Sequence, residues 1–125
     1  MMTFALVGFG GLIGASSRYA VGRWVNDMAG NPAFPYGTLA VNVIGCLLIG
    51  VLAGLAATRN IIGVDARAFL IVGLLGGFTT YSAFGLETVE LIRRGDFFVS
   101  LSNVALQITL GLAAVWAGLK IADSV

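Results

Sequence analysis

Seven residues in the third long apolar segment of the chain combine small, polar and aromatic side chains. Residues 76–82 read GGFTTYS, whereas the sequence before them is rich in leucine, isoleucine and valine. Polar groups inside a membrane helix are costly and usually mark a functional site. Two adjacent glycines cost about 2 kcal/mol of helix propensity relative to alanine. The run therefore favours a local break, whose freed carbonyl groups could ligate a cation, although threonines bonded back to carbonyls one turn earlier would allow a continuous helix.

Two aromatic residues lie in and just after this run. Tyr81 and Phe84 are three residues apart and so share one face of a helix, whereas Ser82 is turned about 100° from Tyr81. An aromatic ring has a positive edge, which can contact an anion where little water is present. The same spacing suits two rings that only pack against each other, so the pattern alone leaves both interpretations open.

Further polar residues lie inside or near the ends of other apolar segments. Asn42 lies about one turn into the second segment, where its amide could donate to an anion or hold two helices together. Arg18 lies several residues inside the end of the first segment, where it could snorkel to the membrane interface or attract anions. Glu87 and Glu90 share a helix face near the arginine pair that ends the third segment, and could form ion pairs with it.

Composition identifies the class of protein that must position these residues. The chain has 125 residues, of which 58% are hydrophobic and 10% are charged, whereas a soluble domain carries about 25% charged residues. An integral membrane protein is therefore predicted. The absence of histidine removes the commonest metal ligand and proton relay, and a net charge of +1 provides no basic patch for nucleic acid.

Four segments are long and apolar enough to cross a bilayer, which takes about 20 residues. Together they make one four-helix transmembrane domain over residues 1–125, and the predicted spans are residues 3–24, 37–57, 68–92 and 97–121. The middle of the third span falls at Thr80, so the polar run is expected near the bilayer centre. Three pairs of glycines four residues apart should let helices approach closely: Gly10 and Gly14, Gly50 and Gly54, and Gly73 and Gly77.

Basic residues give the four spans no preferred direction. Three lie on one predicted side and four on the other: Arg59, Arg67 and Lys120 against Arg18, Arg23, Arg93 and Arg94. A clear excess of Lys and Arg normally marks the cytoplasmic side. Either another feature sets the orientation, or the chain inserts both ways, which would allow an antiparallel homodimer with a two-fold axis in the membrane plane.

Three stretches of the chain together resemble a known family. GGLIGASSRY (10–19), FPYGTLAVNVIGCLLIG (34–50) and GGFTTYSAFGLE (76–87) closely resemble the CrcB/Fluc family of small bacterial fluoride channels, in order and in spacing. The resemblance implies an all-α membrane protein with four transmembrane helices per subunit, the third broken near the bilayer centre. It also implies an antiparallel dual-topology homodimer with two fluoride pores, located in the bacterial inner membrane and surrounded by lipid.

The resemblance also implies a role for individual residues. A structural Na⁺ that is not transported would be bound by the backbone carbonyls of Gly76 and Thr79. The implied fluoride pathway comprises Asn42, Tyr81, Phe84, Thr80 and Ser82. Arg18 and Glu87 match positions in the family's vestibule.

This chain departs from the family at two places. The first position of the aromatic pair is usually phenylalanine, whereas here it is Tyr81. The fourth helix of relatives often carries a track of serine and threonine, and the nearest equivalents here are Gly111 and Val115, with Gln107 and Thr109 close by.

Three functions are compatible with these residues, none of them enzymatic. The first is a passive fluoride channel that lowers cytoplasmic fluoride. The second is a small dual-topology multidrug exporter, which needs an acidic residue in the middle of the first helix, where FALVGFGGLIGASS has none. The third is a non-transporting membrane assembly protein, for which glycine packing would suffice.

Overall fold

The computed structural model describes residues 1–30, 33–59 and 62–125, and all regular structure within them is helical. Four long apolar helical segments are suited to cross a membrane, as predicted. Their elements are α1 (Met2–Ala29), α2 (Tyr36–Arg59), α3 (Val64–Arg67), π1 (Ala68–Leu75), α4 (Gly76–Phe78), α5 (Tyr81–Arg93) and α6 (Phe97–Ser124). The third span consists of α3, π1, α4 and α5 in succession.

Helix α1 continues five residues beyond its predicted end at Trp24. Arg23 and Asp27 form an exposed ion pair one turn apart, at 3.8 Å, which supports the added turn. Gly30 closes the helix with a left-handed φ of 68° and donates its N–H to the Asn26 carbonyl. The polar connection predicted from Asp27 to Pro35 is therefore shorter, and it includes two residues, 31 and 32, outside the described ranges.

The other predicted bounds differ by a few residues. The third span begins at Val64 rather than 68, and α6 ends at Ser124 rather than 121. The end of the third span is where the sequence RRGDF indicates: Gly95 has φ 85°, and its N–H donates to the Ile92 carbonyl. Residues 60 and 61, in the predicted connection after the second span, lie outside the described part of the chain.

Glycines allow α1 to lie directly against the first half of the third span. A methyl group on Gly10 would meet the Phe69 carbonyl oxygen, and one on Gly77 would lie 2.7 Å from the Gly11 carbonyl oxygen. Gly14 and Gly73 are equally close to backbone atoms across the same interface. Two of the three predicted glycine pairs therefore serve this one backbone-to-backbone contact.

The third glycine pair lies in the interface between α2 and α6. A methyl group on Gly50 would meet the Val115 carbonyl, and one on Gly54 would lie 2.5 Å from the Ala122 methyl carbon. Gly118 of α6 makes the reciprocal approach to α2, against the Leu47 carbonyl. Thus α1 pairs with the start of the third span and α2 pairs with α6. The remaining long helix, α5, packs mainly against α6.

Most of the surface of the four spans is apolar and exposed. Only 11–22% of the most apolar window of each span is buried inside the chain, and large side chains such as Phe4, Leu12 and Trp24 point outward. A water-facing protein of this size would not expose so much apolar surface. Together with the four spans, this surface identifies a multi-pass membrane protein.

Candidate functional site at Thr79 and Thr80

Two threonines with extended backbone separate α4 from α5. Thr79 has φ −82° and ψ 158°, and Thr80 has φ −151° and ψ 115°, whereas the residues on either side are helical. The two glycines thought to favour a break are themselves helical members of α4. The contact of Gly77 with α1 explains the need for a small residue there. The predicted break within the polar run therefore falls on its threonines, which are also only moderate helix formers, and not on its glycines.

An amide from α2 binds the exposed backbone of this interruption. The Nδ2 group of Asn42 donates to the Thr80 carbonyl at 3.0 Å, and the Thr80 N–H donates to Oδ1 of Asn42 at 2.8 Å. The Thr80 hydroxyl caps α5 by accepting from the Ala83 N–H at 3.2 Å. Backbone groups at membrane depth need such partners because lipid offers none. Asn42 thus supplies the acceptor that the Thr80 N–H loses at the interruption, and the Thr80 hydroxyl supplies one for the Ala83 N–H.

Arg18 reaches the same interruption from α1. Its Nη1 group donates to the Thr79 carbonyl at 3.3 Å, across 61 residues of sequence. The sequence suggested that this arginine would snorkel to the interface or attract anions. Its observed contact brings a positive charge to the carbonyl that the resemblance implied as a sodium ligand.

Tyr81 and Phe84 share one face of α5, as their spacing predicted. Their ring centroids are 5.6 Å apart and the ring planes meet at 61°, an edge-to-face arrangement. The Tyr81 side chain is 83% exposed in the single chain, whereas Phe84 is half-buried. The Tyr81 ring therefore lies on the outside of this subunit, beside the half-buried ring of Phe84.

The predicted site residues divide among three clefts. The aromatic cleft, of about 400 Å³, is lined by Asn42, Gly76, Thr79, Thr80, Tyr81 and Phe84, together with Gln107. The arginine cleft, of about 830 Å³, is lined by Arg18, Thr80 and Ser82. The glutamate cleft, of about 290 Å³, is lined by Glu87 and Glu90. Thr80 lines both of the first two clefts, so the interruption lies between them.

Glu87 is bound to α2 and not to the arginines that follow it. Its Oε1 atom accepts from the Thr38 hydroxyl at 2.6 Å, while Oε2 is buried and has no hydrogen-bond partner within residues 1–30, 33–59 and 62–125. The ion pairs in these ranges are Arg23–Asp27 and Lys120–Asp123. Within the described ranges, neither Glu87 nor Glu90 is therefore ion-paired with the arginine pair, as had been suggested: Glu87 bonds to α2, although Arg94 lines the same cleft as both glutamates.

Helix α6 contributes a residue that the sequence reasoning gave no role. Gln107 lines the aromatic cleft, and its Oε1 atom accepts from the Nδ2 group of Asn42 at 3.1 Å. An amide side chain within an apolar span was the signal that could have identified it, although Asn103 of the same helix carries that signal too. Gly111, one turn later, is buried beside Cys46 of α2. Helix packing therefore occupies at least this position of the expected polar track.

The sequence was compared with known families and proteins. The family model described as CrcB-like protein, Camphor Resistance (CrcB), matches residues 5–119. A protein of Rhizobium etli named "Fluoride-specific ion channel FluC" is 48% identical over 97% of this chain and 96% of its own length. A protein of the same name from Pseudomonas fluorescens is 48% identical over 92% of this chain and 92% of its own length. A protein of Symbiobacterium thermophilum named "Fluoride-specific ion channel FluC 1" is 42% identical over 96% of this chain and 97% of its own length. With its four apolar spans and the matched stretch covering the whole candidate site, the chain belongs to the CrcB-like family.

Proposed function

We propose that this protein is a fluoride-specific ion channel, as the names of its relatives indicate for them. The aromatic cleft carries the proposal: it combines two aromatic rings, the amides of Asn42 and Gln107 and an interrupted backbone in one space. A channel needs only to replace part of the hydration shell of an ion without binding it too tightly. Ring edges and amide N–H groups supply weak positive potential of this kind.

Passive conduction in the bacterial inner membrane would export fluoride. Hydrogen fluoride is a weak acid that crosses lipid and dissociates inside the cell, so an outward leak for the anion lowers cytoplasmic fluoride. The pathway would run past Phe84, Tyr81, Thr80 and Ser82, with the positive charge of Arg18 in the adjoining arginine cleft. Positive charge at the entrance of a cleft raises the local concentration of anions.

We further propose that the functional unit is an antiparallel, dual-topology homodimer in which the third span is broken near the bilayer centre. Two observations support this. The aromatic pair faces away from the single chain, with Tyr81 83% exposed, so a second subunit could enclose the ring edges. The basic residues of the sequence are also nearly balanced between the two sides.

A structural Na⁺ between subunits is also proposed, with two backbone carbonyls at the interruption as its ligands. In a continuous helix the Gly76 and Thr79 carbonyls would accept from the N–H groups of Thr80 and Ala83. These N–H groups donate instead to Asn42 and to the Thr80 hydroxyl. The Thr79 carbonyl accepts from Arg18 but keeps a second lone pair. Gly76 and Thr79 of each subunit would hold the ion, which would fix the two copies together without being carried.

The multidrug-exporter alternative finds no support at the first span. The sole acidic residue of α1 is Asp27, which lies two residues from the end of the helix and is exposed beside Arg23. A coupling carboxylate in the middle of the membrane is therefore missing from this helix, which is described in full.

Fluoride efflux from liposomes containing only the purified protein tests the proposed function. We expect rapid fluoride release when a potassium ionophore balances charge, and no comparable release of chloride. Empty liposomes provide the control for leakage. Protein that inserts and elutes as a homogeneous species but releases no fluoride would contradict the proposal.

A further inference from the structure

A hydrogen-bonded cluster between α5 and α6 lies one helical turn from the aromatic cleft. It consists of Thr88, Ser100 and Asn103, which are not among the residues that line that cleft. On the basis of the fluoride-channel function proposed above, we propose that Asn103 is a positioning residue, which acts through Thr88 to hold Phe84 at its height in the cleft.

Hydrogen bonds link the cluster directly to the backbone of Phe84. The Thr88 hydroxyl donates to the Phe84 carbonyl at 2.6 Å. Because a hydroxyl has one hydrogen, its oxygen can face Asn103 only as an acceptor, and the Nδ2 group of Asn103 donates to it at 3.0 Å. The Ser100 hydroxyl adds a second bond to α5, to the Thr88 carbonyl at 3.2 Å. Asn103 and Phe84 are thus connected through one shared hydroxyl.

The cluster also sets which residues of the two helices lie opposite each other. Residues 94–96 alone separate α5 from α6, so the two helices run antiparallel. From the pair of Thr88 and Asn103, one turn towards the interruption is four residues back along α5 and four residues forward along α6, about 6 Å on each. That step leads to Phe84 and Gln107, which both line the aromatic cleft. The bond between Thr88 and Asn103 therefore fixes the height of Phe84 in this cleft.

Apolar packing alone would not fix this height. Helix α5 packs mainly against α6, and its side chains Leu86, Val89 and Ile92 are exposed. Lipid contacts such a surface as well as a neighbouring helix does, so no hydrophobic drive opposes a slide of α5 along α6. A slide would separate Thr88 from Asn103 and leave a buried amide without its hydrogen bond, which is costly.

Asn103 joins the two helices at a cost in stability, which argues for a role beyond packing. The residue is 0% exposed, and its Oδ1 atom has no hydrogen-bond partner among the residues that the structure describes. A leucine would avoid this unpaired acceptor. In coiled coils a single buried asparagine fixes the register of the helices and lowers their stability. The same effect on register is the role assigned to Asn103 here.

Removal and rescue of the Thr88 hydroxyl test the connection by flux. Thr88→Val removes the hydroxyl at nearly constant volume, whereas Thr88→Ser keeps it. We expect fluoride efflux from liposomes to fall about three- to tenfold in Thr88→Val, the effect of about one hydrogen bond, and to stay near wild type in Thr88→Ser. Thr58→Val is the matched control and should conduct like the wild type. The Thr58 hydroxyl makes the same bond, to the Gly54 carbonyl of its own helix, and joins no other helix within the described part of the chain.

Asn103→Leu separates a positioning role from a purely structural one. It replaces the amide by apolar groups of similar volume, so the free energy of unfolding should be unchanged or higher, while efflux should fall as far as in Thr88→Val. The double variant should conduct no worse than either single variant, because both changes break one connection. Ser102→Ala, next to Asn103 on α6, is the control, since its hydroxyl bonds to the Phe98 carbonyl of its own helix.

The aromatic NMR resonances of Phe84 report its position directly. In protein carrying ¹³C-labelled phenylalanine, the signals that disappear in Phe84→Ile identify this ring. We expect them to move in Thr88→Val and in Asn103→Leu, and to keep their wild-type positions in Thr88→Ser and Thr58→Val. The spectra also report whether each variant is folded, and Thr88→Val keeps the test decisive if Asn103→Leu does not assemble.

The two readouts together decide the inference. Moved Phe84 signals with reduced efflux, both restored in Thr88→Ser, would support it. Unchanged Phe84 signals in a folded Asn103→Leu or Thr88→Val protein, or moved signals with wild-type efflux, would show that Asn103 does not position the ring for conduction, although the channel function would stand. A wild-type protein that does not conduct would overturn the proposed function, and the role of Asn103 in conduction with it.

Discussion

Phe84 provides the sharpest test at the scale of single residues. Its ring meets that of Tyr81 edge to face at 5.6 Å, and the proposed pathway uses its positive edge. Phe84→Ile removes this edge but retains most of the apolar volume, so the free energy of unfolding should change by less than about 1.5 kcal/mol. We expect a severe loss of fluoride efflux with dimer assembly unchanged by gel filtration. Wild-type flux in this variant would mean that the two rings only pack.

Tyr81 carries a hydroxyl at a position where the family resemblance leads us to expect phenylalanine, and this group can be tested separately. Among the described residues the hydroxyl has no hydrogen-bond partner, and the side chain is largely exposed. Tyr81→Phe keeps the ring edge, so efflux should remain within about threefold of wild type. A change in barrier height of about 1.4 kcal/mol would alter efflux about tenfold. A large loss, measured in parallel with Phe84→Ile, would instead identify the hydroxyl as a direct ligand of fluoride.

At the scale of elements, the interruption depends on how closely α2 approaches it. A methyl group on Gly45 of α2 would overlap the Thr79 side-chain methyl. Gly45→Ala should therefore displace Thr79, lower the free energy of unfolding by about 1–3 kcal/mol as in other overpacked interiors, and reduce fluoride efflux. Denaturation and efflux assays would measure the two effects.

Gly8→Ala is the matched control for this element. Gly8 lies in α1 and has no neighbouring atom within 4 Å of an added methyl group, so its replacement should leave flux nearly unchanged and, through helix propensity alone, raise the free energy of unfolding by at most about 1 kcal/mol. Equal behaviour of the two alanine variants would show that the approach of α2 to Thr79 does not control the interruption.

At the scale of the whole molecule, the charge balance predicts insertion in both directions. A reporter fused to the C-terminus of the wild-type protein should be found on both sides of the membrane. Several lysines added near Lys120 should retain the C-terminus in the cytoplasm, because a Lys and Arg excess marks that side. The same lysines added near Arg94 should have the opposite effect. A wild-type reporter confined to one side would exclude dual topology.

The sequence by itself determined the properties that depend on composition and on local periodicity. The apolar fraction established the membrane class, the length of the apolar runs gave four spans, and the spacing of three placed Tyr81 and Phe84 on one face. The glycine pairs predicted close contacts between helices, although not which helices would be in contact. Each of these follows from residues within one helix, whose geometry is the same wherever it packs.

Only the tertiary structure decided which groups meet at the interruption. The extended backbone falls on Thr79 and Thr80, while the neighbouring glycines stay helical and one of them, Gly77, lies against α1. The Asn42 amide bonds to Thr80, 38 residues away in sequence, and also donates to Gln107, 65 residues away. Such hydrogen bonds depend on which helices pack side by side and at what height along their axes. No local pattern contains that information, so the amide groups that meet at the interruption could be recognised only after the helices were assembled.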